Sequence, residues 1–273
     1  MIKVHHILIL FVLLLSACQL KLKPNNEDDR KLLVEVQRYD RLESRYLTTG
    51  DYSALQQMNT TYPMETRTLI EDVLNIGEVN ETGINAKFLN FYQDSLLQVI
   101  IADAESEFVS MDDINKDLSN AFRKLQRLLP DLKVPVIYSQ IGALDQSIVI
   151  GNDAIGISLD KYLGADYPIY RQFYTERQRE SMKREFIVPD CLVFYLLSKY
   201  PLNKEYQHSE FVKELHMAKM MWTTNKLLGR RIYQTSQVNM IDQFMRQHRT
   251  FSLEELLKEQ DYSSFEIHRE NLR

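Results

Sequence analysis

The stretch that most narrows the possible folds is residues 149–198, VIGNDAIGISLDKYLGADYPIYRQFYTERQRESMKREFIVPDCLVFYLLS. Its first part alternates. Ile155, Ile157 and Leu159 point one way, and Gly156, Ser158 and Asp160 the other, the period of a half-buried strand. Asn152-Asp153 ahead of it is turn chemistry. Tyr167, Tyr170 and Tyr174 recur at helical spacing, which predicts a helix over 166–174. The last part is an apolar run led by Pro189, a residue suited to the first turn of a helix.

Upstream, residues 134–141, with Pro135 at their start, and 147–150 complete a small antiparallel meander of about three strands, 134–160. The rest reads as helix. Leu32, Val36, Tyr39 and Tyr46 form a stripe that predicts a first helix over 31–46. Two short helices are expected around Pro63, at 51–58 and 65–74, and a longer one over 88–108. Ser110 with Asp113 three residues on suggests a capping box for a helix that buries Ile114, Leu118, Phe122, Leu125 and Leu129 and stops at Pro130. Further helices are expected over 209–228, 238–249 and 252–258, with a loose polar end over 261–273. Only 8 glycines accompany these long periodic segments, which favours a mainly helical α+β protein.

The N-terminus carries a different message. Lys3 precedes an uncharged apolar run, 7–15, and then Leu15-Ser16-Ala17-Cys18. Small residues before a cysteine match a bacterial lipoprotein signal, in which Cys18 receives the lipid and becomes the new N-terminus. The run is too short for a membrane span, which needs about 20 apolar residues. The expected organisation is a signal over 1–17, a polar tether over 18–30 and one globular domain over 31–273, with 31–108 as a possible helical lobe. Gln19 after the cysteine fits an outer-membrane destination. The membrane then enters as a partner through the lipid, and a net charge of −5 offers no basic footprint for nucleic acid.

The words Leu159-Asp160-Lys161-Tyr162-Leu163-Gly164, then Asp166, Tyr170 and residues 187–190, resemble the GldB-type gliding-motility lipoproteins of Bacteroidota-like bacteria. The resemblance spans roughly 113–226. It implies a zinc-peptidase-like layout and a role in surface motility rather than a named reaction. It also marks Asp160, Tyr162, Gly164, Asp166, Tyr170 and Asp190 as family positions or a possible binding surface.

The chemistry of such a scaffold is missing from the sequence. A zinc peptidase places His-Glu-x-x-His on the helix after the sheet, where two histidines share a face and the glutamate polarises the metal-bound water. Here that helix reads VPDCLVFY. His208 and His216 lie eight residues apart, about 12 Å along a helix, too far for one ion. No metal and no cofactor are therefore expected. Asp103, Glu105 and Glu107 read as a solvated face, and Ser139, Ser147 and Ser158 lack a nucleophile-elbow setting. Cys191 sits in an apolar run as a buried thiol.

Three functions remain open. The first is a non-enzymatic, lipid-anchored envelope scaffold that binds protein partners in a motility- or secretion-type assembly. The second is a hydrolase using carboxylates around Asp160 and Asp190, which would have to converge in a cleft. The third is a peptide- or glycan-binding module using Tyr162, Tyr167, Tyr170 and Tyr174. Arg230 and Arg231 read as a solvated pair, or as a grip for an acidic partner. Met217, Met220 and Met221 read as core filling, or as a partner groove.

Overall fold

The computed structural model describes residues 33–265 except 152, 207 and 264. Cys18, His5, His6, His268, the signal and the tether therefore lie outside the described residues.

The chain enters as an extended segment, not a helix. In residues 33–37 the side chains alternate between exposed and buried, and the backbone is claimed by neighbours. Val34 N–H donates to Ser119 Oγ (2.9 Å) and Val36 N–H to Asn115 Oδ1 (2.9 Å). Gln37 bridges Tyr138 in parallel, with Gln37 N–H to the Ile137 carbonyl at 2.8 Å. The expected helix over 31–46 is thus corrected: LVEVQ has period two, and its buried positions Val34 and Val36 are β-branched.

Helix α1 (Tyr39–Thr49) follows and ends at Gly50, whose φ of 70° needs no Cβ. Asp51 caps α2 (Tyr52–Thr61) by accepting from Ser53 N–H. Pro63 opens α3 (Pro63–Thr68), which widens into a π turn (Leu69–Val73). The long helix expected over 88–108 is two helices, α4 (Ile84–Phe91) and α5 (Ser95–Glu107). Asp94 divides them, because its carboxylate takes the N–H groups of Leu96 and Leu97 and starts a new helix.

Helix α6 (Asp112–Leu128) buries Ile114, Leu118, Phe122 and Leu125, each contributing about 1.5–3 kcal/mol. Its start is not the expected capping box. Ser110 Oγ accepts from Asp112 N–H (3.1 Å), and Asp113 is drawn instead to Arg184.

The sheet holds β1 (Val136–Gln140), β2 (Ile148–Ile150) and β3 (Ala154–Ser158), in the order β1-β3-β2. β2 and β3 form an antiparallel hairpin, but β3 runs parallel to β1. The expected antiparallel meander is therefore a mixed sheet. The apolar β3 takes the middle and is buried on both faces rather than one. Gly156 makes this possible: opposite it in register stands Tyr138, whose ring fills the space a Cβ would take.

After a 3₁₀ turn (Leu159–Lys161), residues 166–174 contain one helical turn, α7 (Tyr170–Phe173), rather than the full helix expected. Pro168, which has no N–H to donate, interrupts the run. A second short turn, α8 (Glu176–Arg179), carries a capping box from Thr175 and Gln178. Helix α9 (Ile187–Lys199) has Pro189 in its first turn, is apolar nearly all round, and packs on β2, β3 and α6. Helix α10 (Glu210–Leu228) packs against α9, and α11 (Ser236–Gln247) and α12 (Leu253–Lys258) close over it. Leu215, Ala218, Ile241, Phe244 and Leu256 form their shared core, with Met221 packed against it, and Met220 is also buried. Part of the expected loose end belongs to this core, since Tyr262 and Phe265 are buried in it.

The protein is thus mainly helical α+β around a small three-stranded sheet.

Candidate functional site

The loop between β1 and β2 holds two consecutive residues in left-handed backbone. Ala143 and Leu144 both have positive φ, 51° and 63°. Two successive left-handed residues with side chains cost about 1–2 kcal/mol each. The sequence word 159–164 holds them there.

Asp160 is fully buried, and its carboxylate accepts the N–H of Gly142 (2.8 Å) and of Leu144 (2.5 Å). Lys161 Nζ reaches the Leu144 carbonyl (3.2 Å), the Asp145 carbonyl (3.3 Å) and the Tyr174 hydroxyl (2.9 Å). Tyr174 in turn donates to the Leu144 carbonyl. From inside, Glu43 of α1 accepts the Ile141 N–H (2.8 Å) and Tyr92 donates to the Ile141 carbonyl (2.5 Å). Burial pushes the Asp160 carboxyl up from its ordinary range, against the pull of the Leu144 and Gly142 N–H groups. Burial pushes Glu43 up further, the Ile141 N–H opposing and the nearby charges of Asp160 and Asp40 adding to it.

The tyrosines tie this loop to the rest. Tyr170 donates to the Asp160 carbonyl and accepts from Leu163 N–H (3.0 Å). Its ring meets those of Tyr167 and Tyr174 edge-on. Tyr167 donates to Asp103 of α5 (2.7 Å). Gly164, at φ 114°, lets the chain turn while its N–H reaches the Met182 carbonyl (3.0 Å). Asp166 is not part of this arrangement: it is exposed and pairs with Arg171, at 3.5 Å.

Asp190 occupies a second place. It accepts from the Tyr162 hydroxyl (2.9 Å) and from the Tyr233 hydroxyl (2.7 Å). Burial raises its carboxyl to about 6, the two hydroxyls opposing. It lines a pocket of about 200 Å³ with Ser147, Lys161, Tyr162, Tyr174 and Gln178. Asp160 and Asp190 therefore do not converge: one is sealed in the loop, and the other faces the pocket. Cys191 beside Asp190 is buried, which pushes its thiol well up and leaves it protonated.

The histidines are dispersed. His216 Nδ1 lies 2.7 Å from the Tyr262 hydroxyl, and His248 stacks on Phe244. Among the described residues, no three His, Cys, Asp or Glu side chains gather closely enough to hold a metal ion.

Sequence reasoning missed Glu43, Tyr92 and Tyr233, and took Lys161 only as a letter of the 159–164 word. Only Glu43 left a signal: it falls on the α1 face of Tyr39, Tyr46 and Leu47, an acid inside an apolar stripe. Tyr92 and Tyr233 are joined to the site by contacts between distant segments.

No curated protein and no solved structure matches the chain. The family model described as gliding motility protein GldB matches residues 20–232, which takes in the whole sheet, the 159–164 word, the tyrosine arm, α9 and α10. The chain belongs to the family of the gliding motility protein GldB.

Proposed function

We propose that the protein is an envelope lipoprotein, tethered through an acylated Cys18. Its folded body binds partner proteins in a motility- or secretion-type assembly and catalyses no reaction of its own. The proposed organisation is a signal over 1–17, a polar tether over 18–30 and a single domain beyond. The observation that carries the reading is the use to which the family's words are put. Asp160 and Tyr170 are spent on holding a strained loop, Tyr162 on joining it to α9, Gly164 on a turn that reaches Met182, and Tyr167 between them on joining the arm to α5. Helix α9 carries Pro189, Asp190 and Cys191 in its first turns and no histidine. A framework of this kind offers shape and contact surface. Among the described residues, no helix is long and apolar enough to cross a membrane. Gln19 favours the outer membrane.

One observation favours a second reading. Asp190 faces a pocket with a raised pKa, beside Lys161 and Tyr174, a setting that suits a small peptide or glycan ligand or acid–base work. The test is capture of the lipidated protein from its native envelope, alongside Cys18→Ser and Asp190→Asn. The first reading expects membrane release of the Cys18→Ser protein and stable partners unaffected by Asp190→Asn. Absence of partners, together with hydrolysis of wall or peptide substrate that Asp190→Asn abolishes, would reverse the order.

A further inference from the structure

The chain is acidic overall, with net charge −5, yet four cations line one concavity, three of them gathered around a single carboxylate and the fourth, Arg230, at its edge. Lys226, Arg230, Arg231 and Arg246 line a pocket of about 270 Å³ whose floor includes Trp222 and Val238. Asp242 is the acidic residue lining it.

That carboxylate is already committed. It accepts the indole N–H of Trp222 (2.9 Å) and the Arg246 guanidinium (2.8 Å), with Lys226 Nζ at 3.5 Å and Arg231 at 4.0 Å. One acid thus gathers cations from α10, the following loop and α11, and leaves the pocket with an excess of positive charge. Arg230 leans the other way, to Asp117 at 3.7 Å.

The loop that carries Arg230 and Arg231 is held in shape. Gly229 ends α10 at φ 68°. Asn225 accepts the N–H of Ile232 (2.9 Å) and Tyr233 (3.1 Å), and donates to the Tyr233 carbonyl (2.8 Å). The guanidinium groups therefore project from a fixed backbone, so less order has to be gained on binding. Forked N–H donors around a concavity of this size suit a compact oxyanion of more than one negative charge. A flat acidic protein surface would not enter it.

We propose that this pocket binds a phosphate-type oxyanion, free or carried on a lipid headgroup. The site is separate from the Asp190 pocket and does not depend on the partner-binding role.

Trp222 is the single tryptophan of the chain and lines the pocket, so its emission reports on this place alone. The experiment titrates the full chain with inorganic phosphate and pyrophosphate at constant ionic strength, with chloride as the control. A saturable change in Trp222 emission is expected, with pyrophosphate bound more tightly than phosphate. In Arg230→Gln/Arg231→Gln, which leaves the Asp242–Arg246 pair intact, binding should weaken by about tenfold or more. Unchanged far-ultraviolet circular dichroism confirms that the variant is folded. Vesicles of phosphatidylcholine with and without phosphatidylglycerol separate the two sources. Response to free anions alone identifies a soluble phosphate, and response to anionic vesicles alone identifies a headgroup. No saturable response to any of them, or the same affinity in the variant, overturns the proposal.

Discussion

The carboxylate of Asp160 accepts the backbone N–H of Leu144 at 2.5 Å, across 16 positions of sequence, and Leu144 is a residue with positive φ. The 3₁₀ turn after β3 therefore holds the loop that follows β1 in a backbone shape it would otherwise leave. Asp160→Ala leaves two N–H groups, those of Gly142 and Leu144, without their acceptor, and should cost about 3–5 kcal/mol in urea unfolding. Asp160→Asn keeps one oxygen acceptor and should cost about 1–3 kcal/mol. Equal losses in both variants would count against the loop-holding role.

Gly156 and Gly164 are required for different reasons. A Cβ on Gly156 would stand 2.6 Å from the Tyr138 hydroxyl, inside the sheet, so Gly156→Ala should cost about 1–3 kcal/mol through overpacking. Gly164 has open space around it but a φ of 114°. Gly164→Ala should cost about 1–3 kcal/mol through backbone strain alone. Tyr138→Leu should recover part of the first loss and none of the second, which a double-mutant comparison of melting temperatures checks.

Asp190 gives stability a pH dependence of known sign. Burial raises its folded-state carboxyl from 3.8 to about 6. The folded chain then keeps a proton that the unfolded chain has released. This group's contribution is full below about pH 4 and is lost as the pH rises to about 6, by at most about 3 kcal/mol. Asp190→Asn removes that term. Relative to the wild type, the variant should gain stability between pH 4 and 6 and hold the gain above it. A difference that stays flat across that window in chemical unfolding would show that burial does not control this carboxyl.

Lys219 acts in the opposite direction and in another window. It is fully buried, donates to the Glu259 carbonyl at 2.5 Å and lies over the Tyr262 ring. Burial lowers it from 10.5 to about 8, the Glu259 charge opposing. The unfolded chain then binds the extra proton, so wild-type stability rises with pH between about 8 and 10.5. Lys219→Met should lack that rise when the two proteins are compared at each pH. The same contacts hold residues 259–262 on α10, so faster amide exchange there in the variant is a second expected outcome.

The helical stripes were legible because they are local. Ile114, Leu118, Phe122 and Leu125 recur at the helical period, and Pro130 follows the stop of α6 wherever the helix packs. Ser209 and Ser252 announce α10 and α12 in the same way, each by accepting an N–H three residues on. The 159–164 word was visible as a family signature, but its job was not. The residues it serves, Gly142 and Leu144, carry no turn glycine at the strained positions Ala143 and Leu144. The extended segment over 33–37 was misread because its period-two alternation is short, and a longer helical stripe with Tyr39 and Tyr46 overlaps it.

The sequence alone determined the long helices from α6 onward, the Ser209 and Ser252 caps, the apolar strands and the family, since each rests on residues a few positions apart. Tertiary structure alone decided the strand order, the seat of Glu43 behind Ile141, and the parting of Asp160 from Asp190. Those depend on which distant backbone groups lose water together and must then find partners in one another, a matter of spatial proximity that no short window of residues encodes.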